Sequence, residues 1–296
     1  MFQLKGHLRP RSTSTKEKIM ETNSKNLSFE FYPPKTDLGN EKLISVAKEL
    51  ELFKPEYFSV TFGAGGSTQE GTFNTCLALK DKTTVDPCAH ISGVTANKGE
   101  IKSILDSYKE AGFKRLVVLR GDSPSGVGDH GDFRYAIELL EYIKSVYGNQ
   151  FHIEVGAYPD VHPQAKSADD DFINFSNKVK AGADGAITQF FFLPEAYYEF
   201  MERSEKENLG IPITPGLIAI TNKESLLRMA GNCGAKIPKK IIEDLDNLND
   251  EDVAKYGIDV LTKLGEDLLS FGAPGIHFYT INKLEPTKAI VESLKL

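Results

Sequence analysis

Short apolar segments alternate with helical patterns along almost the whole chain, and this alternation restricts the possible folds more than any other feature. The eight apolar segments lie around Glu30 and at 57–61, 86–91, 115–119, 152–157, 185–189, 213–217 and 275–279. The segment 115–119 (RLVVL) is apolar throughout, which is typical of a parallel strand covered on both faces. The intervening segments place apolar residues at helical spacing, and the longest, 222–271, predicts two or three helices. The sequence therefore predicts an α/β protein, a single (β/α)8 TIM barrel of residues 27–296.

The first 26 residues precede the predicted barrel. Basic residues such as Arg9 and Arg11, with several Ser and Thr, make this segment loosely similar to a transit peptide. Glu17, Glu21 and the lack of an apolar core favour a plain tail or short helix instead. We interpret residues 1–26 as an N-terminal extension.

The composition argues against several classes of protein. The chain carries 42 acidic and 35 basic residues, a net charge of -7, so it lacks the basic surface of a nucleic-acid-binding protein, and a small-molecule partner is expected. No apolar run approaches the roughly 18 residues that a membrane helix needs. Cys76, Cys88 and Cys233 form no C-x-x-C pair, which favours reduced thiols and a cytoplasmic location.

Glu30 is a single carboxylate between aromatic residues in the segment 27–34, LSFEFYPP. The Pro33-Pro34 pair cannot continue a central strand, so Glu30 lies near a strand's carboxyl end, where barrel active sites are built. A carboxylate in aromatic surroundings needs a partner or a proton. Poor hydration would raise its pKa, and a rise of roughly two units, or about 3 kcal/mol, would let it donate a proton near pH 7.

Polar residues follow most of the predicted strands, and in a barrel they converge on one mouth. They are Glu30, Thr61, His90, Arg120, Asp122, Tyr158, His162, Gln189 and Tyr279. Each has a structural alternative: a buried ion pair for Glu30, a core histidine for His90, simple packing for Tyr158.

The sequence lacks the motifs typical of dinucleotide binding, of metal sites and of a nucleophilic serine. Gly63-x-Gly65 follows a strand, but Thr68 breaks the G-x-G-x-x-G dinucleotide pattern, so the loop is either a close backbone approach to a ligand or a tight turn. Neither H-x-H nor H-E-x-x-H occurs, and no metal site is expected. The G-x-S-x-G elbow of a nucleophilic serine is also absent.

Six motifs occur in order, nearly all at predicted strand ends. They are FEFYPP (29–34), SVTFGA (59–64), LRGD (119–122), AYPDVHP (157–163), ITQFFF (187–192) and HFYT (277–280). Together they resemble the methylenetetrahydrofolate reductase family in its short bacterial form, over about residues 27–290.

The resemblance implies a (β/α)8-barrel flavoprotein that passes a hydride from a nicotinamide to FAD and then to methylenetetrahydrofolate, supplying methyltetrahydrofolate for methionine synthesis. Glu30 matches the general acid that opens the folate's five-membered ring, Asp122 a catalytic carboxylate near flavin and pterin, and Gln189 a folate-binding amide. Matching FAD-binding positions are Thr61, His90, Leu119, Arg120, Gly121, Asp122, Tyr135, Tyr158, His162, Asp171, Asn174 and Lys178. Matching substrate-binding positions are Glu30, Asp122, Gln189, Ser225 and Lys283.

The residue types agree with these implied roles. Asp171, Asn174 and Lys178 are spaced to share one helix face, either a solvated surface or, as the resemblance favours, a cofactor clamp. Arg120, His162 and Lys178 have the charge that a pyrophosphate needs. The chain departs from the family pattern at positions where other members carry different side chains, namely Asn177, Ser225, Met229 and Lys283.

One barrel mouth beside one flavin face has room for one partner at a time, which predicts a ping-pong cycle. The resemblance implies NADH rather than NADPH as the donor, and a homo-oligomer is expected. Two alternatives stay open. A phosphate-ester lyase would need a phosphate loop after the last strands, for which Pro215-Gly216 and 280–282 are poor candidates. A non-catalytic flavin- or folate-binding protein would not need Glu30.

Overall fold

The computed structural model describes residues 25–62, 69–121 and 131–296. Within these ranges nine strands form: β1 (Asn26–Phe31), β2 (Tyr57–Val60), β3 (Pro87–Ser92), β4 (Arg115–Leu119), β5 (His152–Ala157), β6 (Gly185–Thr188), β7 (Ile213–Thr214), β8 (Gly216–Ile218) and β9 (Gly275–Tyr279). The helices there are α1 (Asp37–Glu51), α2 (Gln69–Lys82), α3 (Lys98–Glu110), α4 (Ala136–Tyr147), α5 (Ala168–Lys180), α6 (Pro194–Lys206), α7 (Lys223–Cys233), α8 (Lys239–Asp246), α9 (Asp250–Phe271) and α10 (Thr287–Leu294).

All strand pairs are parallel, in the order β7-β6-β5-β4-β3-β2-β1-β9-β8. β7 and β8 occupy one strand position, divided at Pro215, because proline has no N–H to donate to a ladder. β7 pairs with β6, and β8 pairs with β9, so the eight strand positions form a nearly closed ring. This confirms the predicted (β/α)8 barrel.

The alternation of side chains along each strand builds two layers inside the protein. On β1, Phe29 and Phe31 are fully buried in the apolar core between strands and helices. Ser28 and Glu30 point into the barrel, where they contact residues of other strands. The barrel interior is therefore partly polar just below its mouth.

Several helix boundaries follow the predicted signals. Gly112 and Gly182 end α3 and α5 with positive φ values, which glycine adopts most readily. The region 222–271 forms three helices. The helix predicted from 133 begins instead at Ala136, because Phe133 is buried in the core and Tyr135 has extended backbone.

β1 begins at Asn26, one residue inside the predicted extension, and residues 1–24 lie outside the described ranges. Across the part of the chain that the structure describes, the helices are too short or too polar to cross a lipid bilayer.

Candidate active site

Glu30 lies near the carboxyl end of β1 with its side chain between two imidazoles. Its Oε2 atom is 3.4 Å from Nε2 of His90 on β3 and 3.4 Å from Nε2 of His277 on β9. The Glu30 side chain is 17% exposed. The carboxyl group is thus held between side chains of β3 and β9 yet reaches the barrel mouth.

The surroundings of Glu30 set its protonation. Burial raises the pKa of this carboxyl group, whereas charge interaction with His90 and the hydrogen bond with His277 lower it, and the net direction is downward. Burial also lowers the pKa of His90 to about 4, so this imidazole is neutral at pH 7. The prediction of a raised Glu30 pKa is therefore wrong in these surroundings, because the two imidazoles outweigh the effect of burial. The sequence did not reveal them as neighbours of Glu30, since they lie on strands distant from it along the chain.

A cavity of about 610 Å³, the central cavity, opens above Glu30 at the carboxyl ends of the strands. The predicted or noted strand-end residues that line it are Glu30, Thr61, His90, Leu119, Gly121, Tyr158, Gln189 and Tyr279. Thr61 Oγ1 and His90 Nε2 are buried there and make no hydrogen bond with any described residue. Such buried polar atoms call for an explanation, and a bound ligand supplies one.

A second cavity of about 480 Å³, the clamp cavity, adjoins the central cavity. The two share Leu119, Gly156 and Tyr158 as a common wall. The clamp cavity collects the other predicted FAD-binding residues of the described ranges: Arg120, Tyr135, His162, Asp171, Asn174 and Lys178. Asn177, where the chain departs from the family pattern, also lines it.

α5 presents the predicted helix face to the clamp cavity. Lys178 Nζ donates a hydrogen bond of 2.6 Å to the carbonyl oxygen of Gly156. Burial lowers the pKa of Lys178 to about 8, and the nearby Asp171 carboxylate opposes this shift. Asp171 Oδ2 also accepts a 2.8 Å hydrogen bond from the backbone N–H of His162. At pH 7 the clamp cavity therefore holds a half-buried cation suited to an anionic group.

A third cavity of about 380 Å³, the outer cavity, shares Glu30, Thr61, Gln189 and Tyr279 with the central cavity. Its remaining walls are apolar or aromatic: Phe31, Tyr32, Phe190, Ile218 and Ile281. The Gln189 side-chain oxygen accepts a 3.0 Å hydrogen bond from the backbone N–H of Phe190. Flat walls with one amide at the edge suit a planar heterocycle.

Three predicted site residues are not placed in these cavities. Asp122 lies outside the described residues. Ser225, near the start of α7, donates its backbone N–H to the side chain of Asn222, and Lys283 donates its backbone N–H to the carbonyl oxygen of Thr280. Neither lines the three cavities, and their substrate-binding roles stay predictions.

The sequence-based list of site residues omits His277, which is fully buried beneath Glu30. The signal was present in the HFYT motif, since His277 is two residues before Tyr279 and so shares its strand face. Also omitted were Thr95 and Ala96 after β3, which line the central cavity. Within the described ranges no group of three or more His, Cys, Asp or Glu could hold a metal ion.

Fold and site together define a (β/α)8-barrel protein with a carboxyl group at the floor of adjoining small-molecule cavities. Within that class, the chain belongs to the methylenetetrahydrofolate reductase family, whose sequence pattern matches residues 15–295.

Named relatives agree with this assignment. The 5,10-methylenetetrahydrofolate reductase of Buchnera aphidicola subsp. Schizaphis graminum is 37% identical over 272 residues, which cover 90% of this chain and 91% of the relative. The Escherichia coli K12 protein of the same name is 34% identical, covering 91% of this chain and 90% of its own. An Arabidopsis thaliana protein named methylenetetrahydrofolate reductase (NADH) 1 is 32% identical over 94% of this chain and 50% of its own length.

A solved structure shares the fold. It is an uncharacterised protein from Clostridium thermocellum, described as binding two copies of 5-methyl-5,6,7,8-tetrahydrofolic acid. The TM-score is 0.63 at 18% identity, over 95% of this chain and 97% of that one. At this identity the likeness supports the barrel fold alone.

Proposed function

We propose that the protein reduces 5,10-methylenetetrahydrofolate to 5-methyltetrahydrofolate with NAD(P)H, using FAD as its cofactor. The observation that carries this proposal is the position of Glu30, a carboxyl group on the boundary of the central and outer cavities. Family membership and the names of the relatives supply the reaction class.

The clamp and central cavities fit FAD by their chemistry. Lys178 and Arg120 would meet the pyrophosphate, since both are cations that line the clamp cavity. Thr61 Oγ1 and His90 Nε2, which have no hydrogen-bond partner among described residues, would meet the polar edge of the ring system. When bound, FAD supplies the capacity to take a hydride from the nicotinamide and give it to the folate.

Glu30 would act on the folate. A bound folate would exclude water from Glu30 and so favour its protonated form. A proton from that carboxyl group to a bridging nitrogen then breaks one carbon–nitrogen bond of the five-membered ring and leaves an iminium on the substrate. One hydride at that carbon then completes the methyl group, so one proton and one hydride account for the product. Gln189 would hold the pterin edge, because its amide offers both a donor and an acceptor.

The shared walls favour a ping-pong cycle. The central and outer cavities have four lining residues in common, Glu30, Thr61, Gln189 and Tyr279. Nicotinamide and folate would therefore compete for the same walls, and the first must leave before the second binds. Double-reciprocal plots of initial rate against NADH concentration, at several fixed folate concentrations, should be parallel. Intersecting lines would contradict the scheme.

The first experiment is the visible absorption spectrum of the purified protein. We expect a flavin band that bleaches on anaerobic addition of NADH and returns on addition of methylenetetrahydrofolate. A protein that has no flavin and does not retain added FAD would overturn the proposal. Bleaching without recovery would limit the protein to the first half-reaction.

The remaining parts of the proposal follow from family resemblance. We expect NADH to be the preferred donor, the protein to be a cytoplasmic homo-oligomer, and its product to feed methionine synthesis. Asp122 would lie near flavin and pterin, with Ser225 and Lys283 as further substrate contacts. Parallel titrations with NADH and NADPH would decide the donor.

A further inference from the structure

His277 is a buried histidine whose two ring nitrogens face different partners. Its Nδ1 atom is 2.7 Å from Ser28 Oγ, and its Nε2 atom is 3.4 Å from Glu30 Oε2. β1 and β9 pair with Ser28 opposite His277, so the two partners, two residues apart on β1, lie on the same strand face. The imidazole therefore links a buried hydroxyl to the acid at the barrel mouth, and the chemistry described above leaves it without a role.

Glu30 and Ser28 together favour one tautomer of His277, because an ionised carboxylate can only accept a hydrogen bond whereas a hydroxyl can donate one. A neutral imidazole has one N–H donor and one acceptor nitrogen. When Ser28 donates its O–H to Nδ1, the ring proton lies on Nε2 and faces the Glu30 carboxylate.

We propose that His277 is a positioning residue for Glu30, and that Ser28 supports the tautomer in which the Nε2–H of His277 points at the carboxyl group. The inference deepens the proposed function and rests on it. This N–H holds the carboxyl group in place and stabilises the carboxylate that remains after proton donation. The downward direction of the Glu30 pKa agrees with a donor at this position.

His90 cannot fill the same role. Its Nε2 atom is also 3.4 Å from Glu30 Oε2 but makes no hydrogen bond with a described residue, and it lines the central cavity. His277, in contrast, is 0% exposed and engaged at both nitrogens. His90 is thus open to a ligand, and His277 is open only to protein groups.

The environment of His277 contains few other ionisable groups. Those that face it or its hydrogen-bonded partners are Glu30 from β1, Tyr57 from β2, Cys88 and His90 from β3 and Tyr279 from β9. Deeper in the barrel, Arg115 and Glu154 pair with each other at 2.7 Å beside Tyr57. Of these groups, only Glu30 is placed to accept a hydrogen bond from Nε2 of His277.

A direct test reads the tautomer in the full-length protein as purified. The chain has six histidines, so long-range ¹H–¹⁵N spectra of ¹⁵N-histidine-labelled protein are simple to interpret. We expect the His277 signal, identified by its loss in His277→Gln, to show the Nε2–H tautomer at pH 7.5. Ser28→Ala should weaken that preference, because Nδ1 then loses its hydrogen-bond donor. An Nδ1–H tautomer in the wild type, or a spectrum unaffected by Ser28→Ala, would overturn the inference.

A matched pair of variants tests the consequence for the reaction. The amide nitrogen of Gln takes the place of Nε2 and keeps a donor to Glu30, whereas the shorter Asn reaches only the place of Nδ1. His277→Asn should slow reoxidation of reduced enzyme by methylenetetrahydrofolate roughly tenfold or more, the scale of a hydrogen bond to a charged group. Flavin reduction by NADH should change less than about twofold, and His277→Gln should retain most of the folate rate.

The pH profile separates positioning from simple structural support. Because the hydrogen bond from His277 lowers the Glu30 pKa, His277→Asn should move the pKa of the folate half-reaction upward. If His277→Asn slows both half-reactions equally and leaves the pH profile of the folate half-reaction unchanged, the inference is contradicted. If NADH fails to reduce the wild-type protein, the proposed function fails, while the tautomer spectrum still decides the role of Ser28.

Discussion

Lys178 Nζ donates a 2.6 Å hydrogen bond to the carbonyl oxygen of Gly156, a residue of the wall between the clamp and central cavities. Because burial lowers the pKa of Lys178 to about 8, its charge is lost as the pH rises through that value. An anionic ligand favours the charged form, so FAD affinity should be highest below pH 8 and fall up to about tenfold per pH unit above it.

Lys178→Met should weaken FAD binding by roughly ten- to a hundredfold at pH 7 and flatten this pH dependence. Lys180→Met is the matched control, since Lys180 is 57% exposed and pairs with Glu207 away from the cavity. Fluorescence titration of flavin-stripped protein with FAD, between pH 6.5 and 9.5, gives the FAD affinity and its pH dependence. An unchanged slope in Lys178→Met would contradict the assignment of this lysine.

Glu30→Gln should separate the two half-reactions. The amide keeps the size of the side chain but cannot donate an acidic proton, so folate reduction should fall by roughly 10²- to 10⁴-fold. Flavin reduction by NADH needs no acid and should be nearly unchanged. Stopped-flow absorbance measures each step, with Glu49→Gln on the outer helix α1 as control. Equal losses in both steps would refute the role of Glu30 as an acid.

Asn177→Lys should strengthen FAD binding. Asn177 is exposed at the edge of the clamp cavity, so an added cation gains the modest attraction of a surface charge, about two- to fivefold in affinity. The gain should fade in high salt. Asn149→Lys is the control, since it adds the same charge at an exposed turn after α4. The FAD affinities of the two variants, measured by isothermal titration calorimetry, should differ only if Asn177 is near the phosphates of FAD.

Gly121→Ala should destabilise the protein more than Gly210→Ala. Both glycines have positive φ, +85° and +68°, so each substitution strains the backbone by roughly 1–2 kcal/mol. A Cβ at Gly121 would also collide with Ser92 Oγ, whereas the nearest atom to one at Gly210 is the carbonyl oxygen of Asn208, at 3.9 Å. The collision should add about 1–3 kcal/mol in urea unfolding. Equal effects would show that the loop after β4 shifts without cost.

The sequence predicted most of the architecture, because each strand and helix carries its own local signal. The apolar segment at 115–119 and the glycines that end α3 and α5 needed no information from distant residues. The mouth was predictable for the same reason: once the barrel is assumed, residues that follow strands, such as Thr61 and Gln189, must meet at one end.

What could not be predicted depends on contacts between distant strands. The Ser28–His277 hydrogen bond joins residues 249 positions apart. Local sequence patterns do not show which residue of β1 lies opposite which residue of β9. The Glu30 pKa was mispredicted for that reason, since its aromatic sequence neighbours point away while imidazoles from β3 and β9 face it. Asp122, expected to be catalytic, lies outside the described residues and stays a prediction.

The division at Pro215 makes the barrel mechanically uneven around its circumference. Every other strand position has backbone pairing with a neighbour on both sides along shared residues, whereas here β7 pairs only with β6 and β8 only with β9. At this seam the ring is joined by the covalent chain and by side-chain hydrogen bonds to Thr188, from Gly216 N–H and Tyr279 O–H, instead of a continuous backbone ladder. Ile218, just past the seam, forms part of the outer cavity, while Glu30 is on the doubly paired β1. The outer wall can therefore yield to an incoming ligand while the acid stays fixed, and backbone amides near the seam should exchange with deuterium faster than those of β1.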